Sequence, residues 1–264
     1  MHSPTKTLTE MRTINAQTHR NRNIMWACIG FFIAFILFTL LKTNLQSLDI
    51  AVNLWVIPLH NDTAIFLAKG LSVAFDTSTL VIATLIISIY LVVKKRMAQS
   101  LLFATTVSGT ALFATIIKNL TQVARPANQL LQASGFSYPS GHCAGAIVFI
   151  GLIIYFIWSR HAVSQRVKAL SFLSYGLIVV FVSFDRVYLN VHWLSDVIGG
   201  CLFGAFWLLF CIIIYERLKS MRPELVQKKP HTPSQPLPHR ANGIGFYNCN
   251  ISVSKVTPSI INCR

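Results

Sequence analysis

The chain of 264 residues carries 23 Lys and Arg against 8 Asp and Glu, a formal charge of +15, yet only 12% of it is charged and 53% is hydrophobic. That balance excludes an ordinary soluble globular domain and points to a chain that lives in a bilayer.

Residues 1–23 are polar and basic and read as a short flexible leader. Apolar runs then follow at 25–41, 79–93, 100–117, 143–158, 169–184 and 194–215, most of them near the ~20 residues a helix needs to cross a membrane. They predict an all-α polytopic membrane protein, with six transmembrane helices bundled within residues 24–220. Arg20 and Arg22 precede the first run as they would in a signal peptide. The run is long and lacks a small-residue cleavage pattern, so it reads as an uncleaved span. The stretch 49–75 is apolar but broken by Pro58, His60, Asp62 and Lys69. Neither half reaches spanning length, and it reads as an interfacial or re-entrant segment. From Met221 onward lie six of the ten prolines with Ser, Asn, His and Lys, a composition expected to leave residues 221–264 as a disordered tail.

Charge orients this scheme. With the N-terminus inside, 18 of the 23 Lys and Arg fall on inner segments, and only Lys42, Lys69, Lys118, Arg125 and Arg186 lie outside. The positive-inside rule therefore puts both termini in the cytoplasm. The five Asp cancel the five outer cations, so the whole net charge is cytoplasmic. Basic residues beside spans hold anionic lipid, which removes the nucleic-acid partner that a pI near 10 suggests. Cys28, Cys143, Cys201 and Cys211 fall in or beside spans and pack as small apolar residues, while no CxxC pair suggests zinc.

Three stretches carry chemistry, and this topology collects all of them at the outer face. The first is Lys118-x6-Arg125-Pro126. A guanidinium binds two phosphate oxygens through its planar fork, and Lys adds a mobile point charge. The second is Pro139-Ser140-Gly141-His142, a turn opening the fourth span. Free amides at that helix start attract an anion, Ser140 offers a hydroxyl and Gly141 permits close approach. The third is Arg186-x5-His192-x3-Asp196. Its His and Asp share one helix face, so the carboxylate can fix the imidazole tautomer that attacks phosphorus. Taken singly, each has a plain structural alternative: snorkelling cations at a helix end, a capped helix start, and a His–Asp pair at a helix terminus.

Together the three stretches resemble the signature of the type 2 phosphatidic acid phosphatase superfamily, K-x6-RP, PSGH and SR-x5-H-x3-D, over about residues 100–215. These lipid phosphatases are related to vanadium haloperoxidases and bacterial acid phosphatases. Asp185 stands where the family pattern has Ser. The resemblance implies His192 as nucleophile forming a phosphohistidine, Asp196 orienting it, and His142 as general acid and then base. It also implies phosphate binding by Lys118, Arg125, Ser140, Gly141 and Arg186. No metal or other cofactor is implied, and the expected partners are a membrane lipid phosphate and the bilayer. Phosphatidic acid, phosphatidylglycerol phosphate, an undecaprenyl-type diphosphate and a lipid A phosphate all remain open as substrates, as does the oligomeric state. A lipid phosphotransferase would use the same residues. A non-enzymatic anion transporter would need polar residues along the spans, which are nearly free of them, and a haloperoxidase has no need of a multi-span body. The location expected is a bacterial inner membrane.

Overall fold

The computed structural model describes residues 4–159 and 163–221, all helix, turn and loop, with no strand among them. Eight α-helices follow in order: α1 Pro4–Leu41, α2 Gln46–Val56, α3 Asp62–Ala74, α4 Thr77–Val93, α5 Met97–Thr121, α6 Gly141–Trp158, α7 Gln165–Tyr188 and α8 Leu194–Ser220. Short 3-10 turns join α1 to α2 and follow α2. Helical backbone from Pro4 onward runs through most of the segment expected as a flexible leader. No Gly or Pro interrupts it before Gly30, and Pro4 itself suits a first turn. The expected tail lies outside the described residues, Met221 apart.

Local chemistry sets the breaks. Asn61 caps α3 by accepting from Ala64 N–H at 2.9 Å, Asp76 caps α4 from Ser78 N–H at 3.0 Å, and Ser164 caps α7 from Val167 N–H at 3.3 Å. Gln122 ends α5 in the left-handed region at φ 49°. Within α5, Thr106 and Thr110 donate to the carbonyls of Leu102 and Thr106 at 2.6 and 2.8 Å. Their hydroxyls are thereby satisfied inside an apolar helix.

Five helices are long and apolar enough to cross a membrane, or six with the pair α3 and α4, which bends by 44° at its break. The first of these candidates runs on as Asn21–Leu59, so the stretch 49–75 divides between a continuation of α1 and an approach to α4. In α5, α6 and α8, 39% of the apolar window is buried, against 11% in the first candidate and 6% in α7. The first three therefore form the centre, while α1 and α7 present rows such as Phe32, Leu37, Leu40 and Leu173, Val180, Phe181 at the perimeter, the pattern of lipid-facing helices.

A close approach of α8 to α6 assembles the site. A Cβ added at Gly200 on α8 would meet the Ser140 carbonyl oxygen at 2.5 Å, and one at Gly204 would meet Ala144 Cα at 2.9 Å. Small residues one turn apart thus let α8 lie against the start of α6. Ser140 N–H donates to the Asp196 carbonyl at 2.9 Å across that contact. The second and third motifs are therefore joined backbone to backbone.

Candidate active site

A cavity of about 440 Å³ opens at the end of the bundle where α5 and α7 finish and α6 and α8 begin. Lys118, Arg125, Gly141, His142, Arg186 and His192 line it. Ser140 and Asp196, also singled out in the sequence, are fully buried behind that wall. Ser140 occupies the cap position of α6, but its hydroxyl makes no capping bond.

The cations are held before any anion arrives. Lys118, in the last turn of α5, donates to the carbonyls of Phe136 and Ser137 at 2.7 and 3.1 Å. Arg125 donates through Nε to Gly135 O at 3.0 Å and through Nη1 to Val191 O at 2.7 Å. The 134–137 loop therefore wraps two cations in carbonyl oxygens and fixes their direction, the preorganisation on which electrostatic stabilisation depends. Arg186, near the end of α7, is 2% exposed and pairs through Nε with Asp185 Oδ2 at 2.9 Å. It also donates to Ser72 of α3. Asp185 does not line the cavity, so its carboxylate faces the guanidinium and not the anion site.

His192 sits in the tight connection between α7 and α8, 4% exposed. Its Nε2 is 3.3 Å from Arg125 Nη1. A guanidinium can only donate, so Nε2 must carry the lone pair and Nδ1 the proton. Nδ1 faces Asp196 Oδ2 at 3.5 Å, the long edge of hydrogen bonding. Burial pushes the His192 pKa down to about 4; Asp196 opposes that fall, and Arg125 and Lys118 add to it. The imidazole is thus neutral at ordinary pH, with an unprotonated Nε2.

Asp196 is fixed from three sides. Oδ2 accepts from Trp193 N–H at 2.9 Å, and Oδ1 pairs with Lys42 Nζ at 2.7 Å. The Lys42 ammonium lies 4.5 Å from the centre of the Tyr138 ring. One residue away, Ser195 donates its N–H and hydroxyl to Asp49 of α2 at 2.8 and 2.6 Å. Two carboxylates therefore satisfy amides at the positive start of α8.

Lys42, Asp49, Ser72 and Asp76 are the participants that motif spacing misses. A signal was available for the two acids, because a carboxylate in an apolar stretch near a membrane is expensive without a partner. Ser72, Val73, Asp76 and Thr77 line the cavity from the α3–α4 break. The segment expected to be interfacial or re-entrant thus contributes a wall of the site. No group of three or more His, Cys, Asp or Glu among the described residues is placed to hold a metal ion.

A helical membrane bundle with cations and two imidazoles around one cavity fits a membrane phosphate site, and comparison with known proteins gives its family. Residues 97–220 match the PAP2 superfamily. Phosphatidylglycerophosphatase B of Bacillus subtilis (strain 168) is 28% identical over 203 residues, covering 75% of this chain and 99% of that protein. YbjG of Escherichia coli (strain K12), provisionally named an undecaprenyl-diphosphatase, is 31% identical over 91 residues, 34% of this chain and 41% of that one. Among solved structures, the transmembrane PAP2-type phosphatidylglycerolphosphate phosphatase from Bacillus subtilis superposes with a TM-score of 0.68 at 25% identity. That match covers 75% of this chain and all of the other. The chain belongs to the PAP2, or type 2 phosphatidic acid phosphatase, superfamily, and is a membrane lipid phosphatase of that family.

Proposed function

We propose that the protein hydrolyses a lipid phosphomonoester of the phosphatidylglycerol phosphate type through a phosphohistidine on His192. The observation that carries this reading is the convergence of Lys118, Arg125, Arg186, His142 and His192 on one cavity with Asp196 fixed behind His192. The substrate class follows the relative that this chain matches over nearly its whole length. A diphosphate on a polyprenyl carrier is the second reading, favoured by the E. coli match.

In the first step His192 Nε2 attacks phosphorus and the bond to the lipid oxygen breaks. His142 delivers a proton to that oxygen as it leaves. In the second step the now neutral His142 takes a proton from water, whose oxygen attacks the phosphohistidine and frees phosphate. Charge gathering on the equatorial oxygens is met by Lys118, Arg125 and Arg186 with the Gly141 amide at the start of α6, while the Ser140 hydroxyl stands behind it. Three fixed cations take the electrostatic part that a metal plays elsewhere, so the reaction is expected to run without one. The asymmetry of basic residues supports six spans, with both termini in the cytoplasm and the cavity on the outer face of a bacterial inner membrane.

Phosphate release by purified protein from phosphatidylglycerol phosphate, phosphatidic acid and undecaprenyl diphosphate, with and without EDTA, tests the chemistry. Turnover highest on the first lipid and unaffected by EDTA is expected. Loss of activity on chelation, restored by one divalent ion, would contradict the metal-free site. Impermeant thiol labelling of cysteines added within 126–135 tests the face. Labelling only at 94–96 would invert the topology.

A further inference from the structure

Six charged or titratable side chains line the cavity, and five of them are basic or imidazole: Lys118, Arg125, Arg186, His142 and His192. The sixth is Asp76, a carboxylate beside a site built for an anion. It stands at the break between α3 and α4, and its two oxygens have different tasks. Oδ2 caps α4 by accepting from Ser78 N–H at 3.0 Å. Oδ1 faces His142 Nε2 at 3.7 Å. The other charged or titratable groups lining the cavity with it are Arg186 from α7, Arg125 from the α5–α6 loop, Lys118 from the end of α5 and His192 from the α7–α8 connection. Each of these is a cation or an imidazole, and Asp76 is the one carboxylate among the described lining residues. A general acid in that company needs an anion to keep it charged before substrate chemistry begins.

We infer that Asp76 is a positioning residue for leaving-group protonation: its carboxylate faces His142 Nε2 and favours the charged form of that imidazole in the step in which the lipid oxygen departs. This inference rests on the reading of His142 as the acid. During the step the phosphorus–oxygen bond breaks, its electron pair passes to the lipid oxygen, and the His142 proton goes to that oxygen. Asp76 takes no proton; it loses its ion-pair partner and regains it when His142 accepts a proton from the hydrolytic water. The two dyads thereby differ in purpose, Asp196 serving a neutral nucleophile and Asp76 a charged acid.

Asp76→Asn tests this, because Asn caps a helix as well as Asp does and the start of α4 is preserved. The probes are dodecyl phosphate, whose alkoxide needs a proton to leave, and a dodecyl-substituted nitrophenyl phosphate, whose phenolate does not. Asp76→Asn should lower kcat/KM on the alkyl ester by about tenfold or more and on the aryl ester by less than about threefold. The alkaline limb of the alkyl profile should move to lower pH, and Asp76→Glu should recover most of the loss. Equal losses on both esters would overturn the inference in favour of a binding or structural role. No loss on either would leave Asp76 as a helix cap only and overturn it too. His142→Ala separates the two levels. If it spares the aryl ester and Asp76→Asn does not discriminate, the inference alone fails; if His142→Ala itself shows no ester dependence, the acid assignment falls with it.

Discussion

Two histidines face one cavity from opposite circumstances. His192 is 4% exposed, set against a fully buried Asp196 that is itself held by Lys42 and the Trp193 amide. His142 has 20% of its side chain exposed and faces Asp76, whose side chain is 45% exposed. In the first pair the imidazole is locked and kept neutral, as the proposed nucleophile requires if it is to attack along one line. The second is at the rim, where a proton can be exchanged with water between the two steps. On the proposed mechanism, depth divides the labour of two chemically identical side chains.

The largest expected effect breaks the deep side of that comparison. His192→Ala should reduce turnover by about four orders of magnitude or more, because no neighbouring group can replace the nucleophile. With an aryl ester, whose phenolate leaves without a proton, His142→Ala should lose less in phosphoryl transfer than in hydrolysis, and so accumulate acid-labile phosphate on His192. Rapid quench with a radiolabelled dodecyl-substituted nitrophenyl phosphate would show the label on His142→Ala and not on His192→Ala. Full activity in His192→Ala would remove the mechanism.

Lys42 gives the next effect. It reaches Asp196 from the end of α1, outside the matched residues 97–220. Lys42→Met leaves a buried carboxylate short of a partner, an arrangement that destabilises by ~3 kcal/mol in comparable cases. Disturbing the group behind a reactive imidazole lowers activity by about 10- to 100-fold where this has been measured at metal-bound histidines. Lys42→Arg should restore much of kcat, whereas a fall in thermal stability with kcat unchanged would make the pair purely structural.

Those two effects differ in how they could be read from the sequence. Motif residues are legible because helix periodicity and short loops fix their spacing: His192 and Asp196 lie four apart, and Ser140 directly precedes, and Gly141 opens, the turn of α6 that carries His142. Spans are legible because lipid demands long apolar runs. Lys42, Asp49 and Asp76 belong to segments far away in the chain and come to the site by packing, which no local spacing encodes. The division of 49–75 into α2 and α3 is similarly tertiary. His60 Nε2 lies 2.8 Å from the Tyr188 carbonyl oxygen, and the backbone N–H of Asn61 donates to the Tyr188 hydroxyl at 3.3 Å. The connection is thereby anchored on α7, although apolarity alone suggests only an interfacial stretch.

A finer test of the contrast is protonation. Because the folded His192 pKa lies near 4, below the ~6.5 of a free imidazole, the neutral nucleophile should persist as pH falls through 6.5 and be lost only as it approaches 4. The sign for stability is the same: the unfolded chain binds the proton more readily, so this group weakens the fold as pH falls from about 6.5 to 4. Imidazole nitrogen NMR on histidine-labelled protein should show His192 with Nδ1 protonated and Nε2 bare at pH 5. A midpoint near 6.5 would mean that water reaches the deep pair, and the contrast with the rim would disappear.

The smallest effect is expected at Asp185, where the family pattern has Ser. Its carboxylate neighbours a phosphate site, and at ~4 Å an inward-facing one would oppose a single anionic charge by ~4 kcal/mol at an effective dielectric near 20. The geometry avoids that penalty. Asp185 turns from the cavity and accepts from Arg186, which keeps Ser72 as a second partner from α3. Asp185→Asn retains an acceptor for Arg186, and Asp185→Ser restores a small hydroxyl while freeing the guanidinium for phosphate. Both variants should therefore stay within about threefold of the parent kcat/KM, with any gain appearing in KM because Arg186 binds the anion more freely. A loss above about tenfold in both, in protein that melts normally, would show that the direction of Arg186 depends on the Asp185 charge.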